Sequence, residues 1–62
     1  MITGKQKAVL NYIKELESRG KLPSASMVAT HYDIPLRRAL GYLEKLQKAN
    51  LIEKDNFIYK SK

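Results

Sequence analysis

Apolar residues recur along this chain at two different periods, and the change of period divides it. Ala8, Val9, Tyr12, Ile13 and Leu16 fall three and four positions apart, the spacing that puts side chains on one face of an α-helix. Lys7, Asn11, Lys14 and Ser18 take the opposite side. Thr3 can cap this helix and Arg19-Gly20 can end it, so a first helix is expected over about 3–18. Leu22-Pro23 reads as an extended link, and Ser24 as the cap of a second helix over 25–32. Ala25, Val28, Ala29 and Tyr32 fall on the inner face of that helix. Proline disfavours helical angles at Ile34 and suits the first turn of a helix, so Asp33-Ile34-Pro35 is a turn into a third helix over 35–49. There Leu36, Ala39, Leu40, Leu43 and Leu46 cluster on one side, and Arg37, Arg38, Gly41, Lys45 and Lys48 occupy the other.

Beyond Asn50, which is placed to take a left-handed C-terminal position, the period shortens. Leu51–Lys54 and Phe57–Lys60 read as two short strands around an Asp55-Asn56 turn, a hairpin over about 51–60 anchored by Ile52, Phe57 and Tyr59. Lys60-Ser61-Lys62 is expected to fray. The fold class expected is mainly α with a small β-hairpin, a three-helix winged helix-turn-helix forming a single domain over 1–62.

Composition narrows the possibilities. A chain of 62 residues has room for one core and buries only about 60% of the surface its unfolded form exposes. The absence of cysteine excludes a disulfide framework and a cysteine-based metal site. No apolar run approaches the roughly 20 residues of a membrane span, and the first residues lack the apolar segment of a signal peptide. A cytoplasmic protein is expected, nucleoid-associated when bound to DNA, and Met1 suits a natural start. Twelve Lys and Arg against six Asp and Glu give a net charge of +6, which favours a polyanionic partner. The third helix concentrates that charge, with Arg37, Arg38, Lys45 and Lys48 against Glu44 alone.

These segments resemble a known family. Residues Ile2 to Ile13 resemble the opening helix of the LexA-type winged-helix repressor domain, and Leu22-Pro23-Ser24 with Val28-Ala29 resembles its second helix. Leu43, Leu46, Asn50, Leu51 and Ile52 resemble the end of a recognition helix and the start of a wing, with Asn50 where glycine is usual. Arg37-Arg38-Ala39-Leu40 is also similar to the GntR and MarR types. The resemblance implies a DNA-binding transcriptional regulator. It does not extend to self-cleavage, because no protease domain follows in these residues. The proline-proline-aromatic wing of Z-nucleic-acid-binding relatives is missing too.

A helix in the major groove reads bases with its first turns. Arg37 and Arg38 are therefore placed to meet guanine edges or phosphates, and Lys45 and Lys48 to meet phosphates. Gly41 has a functional reading, a close backbone approach to DNA, and a structural one, a tolerated surface glycine or a helix–helix contact. Ser26 near the start of the second helix and Lys54 on the wing are further candidate DNA contacts. His31 sits at an exposed helix end, and no Ser-His-Asp set, paired acid or glycine-rich phosphate loop is evident, so no enzyme is expected. No cofactor, metal or small-molecule effector is expected either. Double-stranded DNA is the expected partner, approached as a dimer or cooperatively, with helix 1 and the C-terminal strand as dimer surfaces. The alternative is a protein–protein interaction module in a larger assembly, favoured by the short wing and by Met27 and Tyr42, which are expected to be exposed.

Overall fold

The computed structural model describes residues 3–62; Met1 and Ile2, with which the expected domain and its LexA-like opening begin, lie outside the described residues. Three helices, α1 (Gly4–Ser18), α2 (Ala25–Tyr32) and α3 (Leu36–Lys48), precede an antiparallel hairpin of β1 (Ile52–Asp55) and β2 (Ile58–Ser61). This is the expected fold class, with the topology of a winged helix-turn-helix.

Local chemistry sets the boundaries. The Thr3 hydroxyl accepts from the Gln6 amide at 3.2 Å while the Gln6 side chain accepts from the Thr3 amide at 2.9 Å, a reciprocal capping box. That bond explains how Gln6 can be buried in the core without loss. Ser24 caps α2 by accepting from the Met27 amide. Each helix then ends on a left-handed residue: Gly20 at φ 75°, Asp33 at φ 53° and Asn50 at φ 63°. In each case the next amide reaches back to the helix, Lys21 to Leu16, Ile34 to Ala29 and Leu51 to Leu46, at 2.9–3.0 Å. Asp33 and Asn50 tolerate these angles because a short polar side chain pays less for them than a branched one.

Val9, Leu10 and Ile13 of α1, Val28 of α2, Ala39, Leu43 and Leu46 of α3, and Ile52 and Tyr59 of the hairpin form one buried cluster. Leu10 joins it although it lies outside the expected stripe, because both α3 and β2 pack on α1 and widen the buried arc. Tyr32 ties α2 to α1: its hydroxyl donates to the Ala8 carbonyl at 3.0 Å.

Four expectations are corrected. Leu36 and Leu40 do not join the core; they remain 51% and 42% exposed. At about 100° per residue they lie roughly 50° and 90° from the centre of the Ala39–Leu43–Leu46 arc, on a flank that the short hairpin leaves open. Phe57 does not anchor the hairpin and is 84% exposed. The register pairs Asp55 with Ile58, so the turn is Asn56-Phe57, one residue later than expected. Asn56 takes φ 58° at the first turn position, a conformation asparagine accepts more readily than phenylalanine does. The tail does not fray, since β2 runs to Ser61, whose hydroxyl donates to Glu17 at 2.6 Å, and the Lys62 amide bonds the Leu51 carbonyl. The outward amides of β2 are thereby occupied, Tyr59 by the Pro23 carbonyl at 2.9 Å and Ser61 by the Glu17 carboxylate at 3.3 Å. A β2 edge so covered cannot offer those amides to a second strand.

Two predictions follow from this packing. Urea unfolding should show Leu43→Ala losing about 2–5 kcal/mol and Phe57→Ser changing stability by less than about 0.5 kcal/mol; equal losses would contradict the observed register. Burial, reinforced by Tyr12 and Glu15, raises the Tyr32 pKa above that of a free tyrosine. The neutral hydroxyl is thus favoured in the folded state, and its contribution is complete below the ordinary tyrosine pKa and lost as pH rises through the folded one. Stability followed against pH in the alkaline range should fall in wild type, and part of that fall should vanish in Tyr32→Phe.

Candidate nucleic-acid interface

The buried arc of α3 determines what its other side presents. With Ala39, Leu43 and Leu46 inward, the opposite sector carries Arg37, Gly41, Glu44, Lys45 and Lys48, all exposed. Arg37, Gly41 and Lys48 fall within about 40° of one another on this face, with Lys45 about 40° beyond Gly41. Pro35 precedes the helix in an extended conformation and no side chain caps it. The first turn therefore presents its cations beside a helix end that favours negative charge.

Glu44 is the one acid of α3, and it pairs with Lys48 at 3.2 Å. Both groups are well exposed, so such a pair holds about 0.3–0.5 kcal/mol, little enough for Lys48 to leave it for a phosphate. Arg37, Arg38 and Lys45 form none of the ion pairs found among the described residues.

The seven sequence candidates do not converge on one spot. Arg37, Gly41, Lys45 and Lys48 share the outward face. Arg38 lies at the edge of that face, about 20° beyond Lys45 and 100° from Arg37, and lines a cleft of about 250 Å³ with Lys5, Val9, Ile34 and Tyr42, between α1 and α3. Ser26 and Lys54 meet on the other flank, in a cleft of about 210 Å³ between α2, α3 and the hairpin. The Lys54 ammonium stands 5.9 Å from the centre of the Tyr59 ring, a weak cation–π contact that holds it near this cleft. Lys60 lies 3.8 Å from Asp55 on the hairpin surface.

Two features escape the sequence pattern. Leu36, Leu40 and Phe57 line the Ser26–Lys54 cleft, because the hairpin turn lies one residue late and the wing is short. On the α1–α2 surface His31 stacks on Tyr12 with ring centres 3.9 Å apart, and Tyr32 meets both edge-on. Their separation in sequence gives no periodic signal for that cluster. Among the described residues no group of His, Asp and Glu is arranged to hold a metal ion. No helix among the described residues is long and apolar enough to cross a membrane.

No protein-family model matches the chain, and neither the curated proteins nor the solved structures contain a significant match to it.

The geometry at Gly41 removes one of its readings, the helix–helix contact, and leaves a tolerated surface glycine beside a close approach to DNA. A Cβ built at this position meets nothing within 4 Å, so no helix–helix contact requires glycine there. Gly41→Ala should therefore stabilise the protein by up to about 1 kcal/mol through helix propensity alone. A rise in thermal midpoint checks this, and a fall would show a steric role the open surface does not suggest.

Proposed function

We propose that this protein is a small transcriptional regulator that binds duplex DNA with α3 in the major groove. The observation that carries the reading is the outward face of α3, where Arg37, Lys45 and Lys48 stand exposed against one acid. The helix-turn-helix arrangement supports it: Asp33-Ile34-Pro35 joins α2 to α3, and the left-handed Asp33 sends the chain straight into α3. A helix of this diameter matches the width of the major groove, and its N-terminal residues are the ones that reach base edges.

In this reading Arg37 is the base-reading residue, and Lys45 and Lys48 hold phosphates. Gly41 lets the helix backbone approach the groove floor. Arg38, turned toward α1, joins Lys5 on the phosphates of one strand. Ser26 and Lys54 take the phosphates beside the wing. One copy offers few base contacts, so useful specificity requires a dimer or cooperative binding on a repeated site. The acids are too few and too scattered to suggest hydrolytic chemistry on the bound nucleic acid.

The rival reading, a protein–protein interaction module, drew support from the short wing and from Met27 and Tyr42 as exposed side chains. Both are half-buried, and Tyr42 packs against the core. That weakens one of the rival's two supports; the short wing is the other.

Fluorescence anisotropy with labelled duplexes at several salt concentrations tests the proposal. Binding should weaken steeply as salt rises, and Arg37→Ala/Arg38→Ala should reduce the log–log salt slope by roughly 1, for the phosphate contact of Arg38, and relax sequence preference through the lost base contact of Arg37. Lys7→Ala/Lys14→Ala removes the same charge from α1 and should leave most of the slope intact. A folded wild type that ignores duplex DNA at low salt would overturn the proposal.

A further inference from the structure

Among the described residues four large apolar side chains stay exposed, and three of them, Leu36, Leu40 and Phe57, line a single cleft; Leu22 is the fourth. Tyr59 and Ala25 complete its walls, Lys54 and the serines at the start of α2 form its rim, and no acidic residue lines it. Such clustering is unlike the scattered apolar residues of an ordinary surface and marks a contact region. Its position decides the contact. Leu36 and Leu40 belong to the first turns of α3, the part of the helix that meets base edges in the duplex reading, on the flank between its outward face and the hairpin, with Leu40 about 100° round the helix from Gly41.

A base edge in the major groove offers one apolar group, the 5-methyl of thymine. We infer that the Leu36–Leu40–Phe57 cleft seats thymine methyl groups, so that the preferred duplex carries A·T pairs where the start of α3 and the wing tip meet the groove. This rests on the duplex-DNA reading and adds to it a source of specificity apart from the arginines. The charges agree with this occupant. Arg37 stands beside the cleft on α3 and Lys54 on the hairpin, so an apolar patch is bracketed by cations, as a methyl-bearing groove is bracketed by two phosphate strands. Phe57 at 84% exposure and the two half-exposed leucines contribute little to the core. Their apolar surface is available to a ligand at small cost to the fold.

The test uses the full chain and duplexes that survive selection from a random-sequence pool, each resynthesised with deoxyuridine in place of thymidine. The exchange removes the methyl and keeps every phosphate and hydrogen-bonding edge. Wild type should lose about fourfold in affinity for each seated methyl, the equivalent of about 0.8 kcal/mol per buried carbon. Leu36→Ala/Leu40→Ala and, separately, Phe57→Ala should bind the thymidine duplex more weakly yet discriminate less between the two duplexes, which a non-specific loss of stability or charge would not produce. Phe57→Ala is the safeguard against misfolding, because that side chain is almost free of contacts. If selected duplexes are bound with the same affinity with and without their methyls, the inference is overturned while the duplex reading stands, and the cleft belongs to an apolar segment of a protein partner. If no duplex survives selection, both readings are overturned together.

Discussion

The burial of Ala39, Leu43 and Leu46 is the constraint on which the rest of this protein depends. These side chains span only about 60° of the α3 circumference. Fixing them in the cluster with Ile13, Val28, Ile52 and Tyr59 fixes the rotation of the whole helix. Everything α3 presents to solvent is then a consequence: Arg37, Gly41, Lys45 and Lys48 face outward, Arg38 turns toward α1, and Leu36 and Leu40 turn toward the hairpin. In so small a protein no second core exists to compensate for a loosened one, so the presented surface is only as well defined as this packing.

Backbone devices let so short a chain assemble that core. The left-handed residues Gly20, Asp33 and Asn50 close the three helices, return an amide to each last turn, and change the chain's direction within two or three residues. The hairpin is then tied back twice, to the Pro23 carbonyl and to the Glu17 carboxylate. The wing is thus held by α1 and by the link into α2, and its position beside α3 does not depend on its own two strands. That matters because an isolated two-stranded hairpin is barely stable by itself.

Much of this was legible in the sequence, for identifiable reasons. Thr3, Ser24, Pro35 and Asn50 are strong local signals, and the helix boundaries they mark agree with the structure within a residue. The apolar pattern located Leu43 and Leu46 correctly but could not show that Leu36 and Leu40 would stay half-exposed. Periodicity reports which side of a helix is apolar, not how much protein is available to cover it. The hairpin register was missed by one residue because Asp55-Asn56 and Asn56-Phe57 are both acceptable turns locally, and tertiary ties to Glu17 and Pro23 favour the second. For the candidate interface, the wheel put Arg37, Lys45 and Lys48 on the side of α3 that the structure leaves exposed. Placing Arg38 with Lys5, and Ser26 with Lys54, required the angles between helices, which no single-sequence pattern carries.

Electrostatics and shape point to the same side of the molecule. The positive charge of α3 lies on the face left over from core packing, the cleft beside it is apolar with a cationic rim, and the acids sit mostly in α1, β1 and the turns. The central claim, that this face meets duplex DNA, is tested most directly by NMR amide-shift mapping during a titration with a selected duplex. The account predicts that amides of Arg37, Gly41, Lys45 and Lys48 move together with Ser26 and Lys54, while Asn11, Lys14 and Ser18 on α1 stay still. Shifts centred on Tyr12 and His31, or no shifts at a saturating duplex concentration, would contradict it.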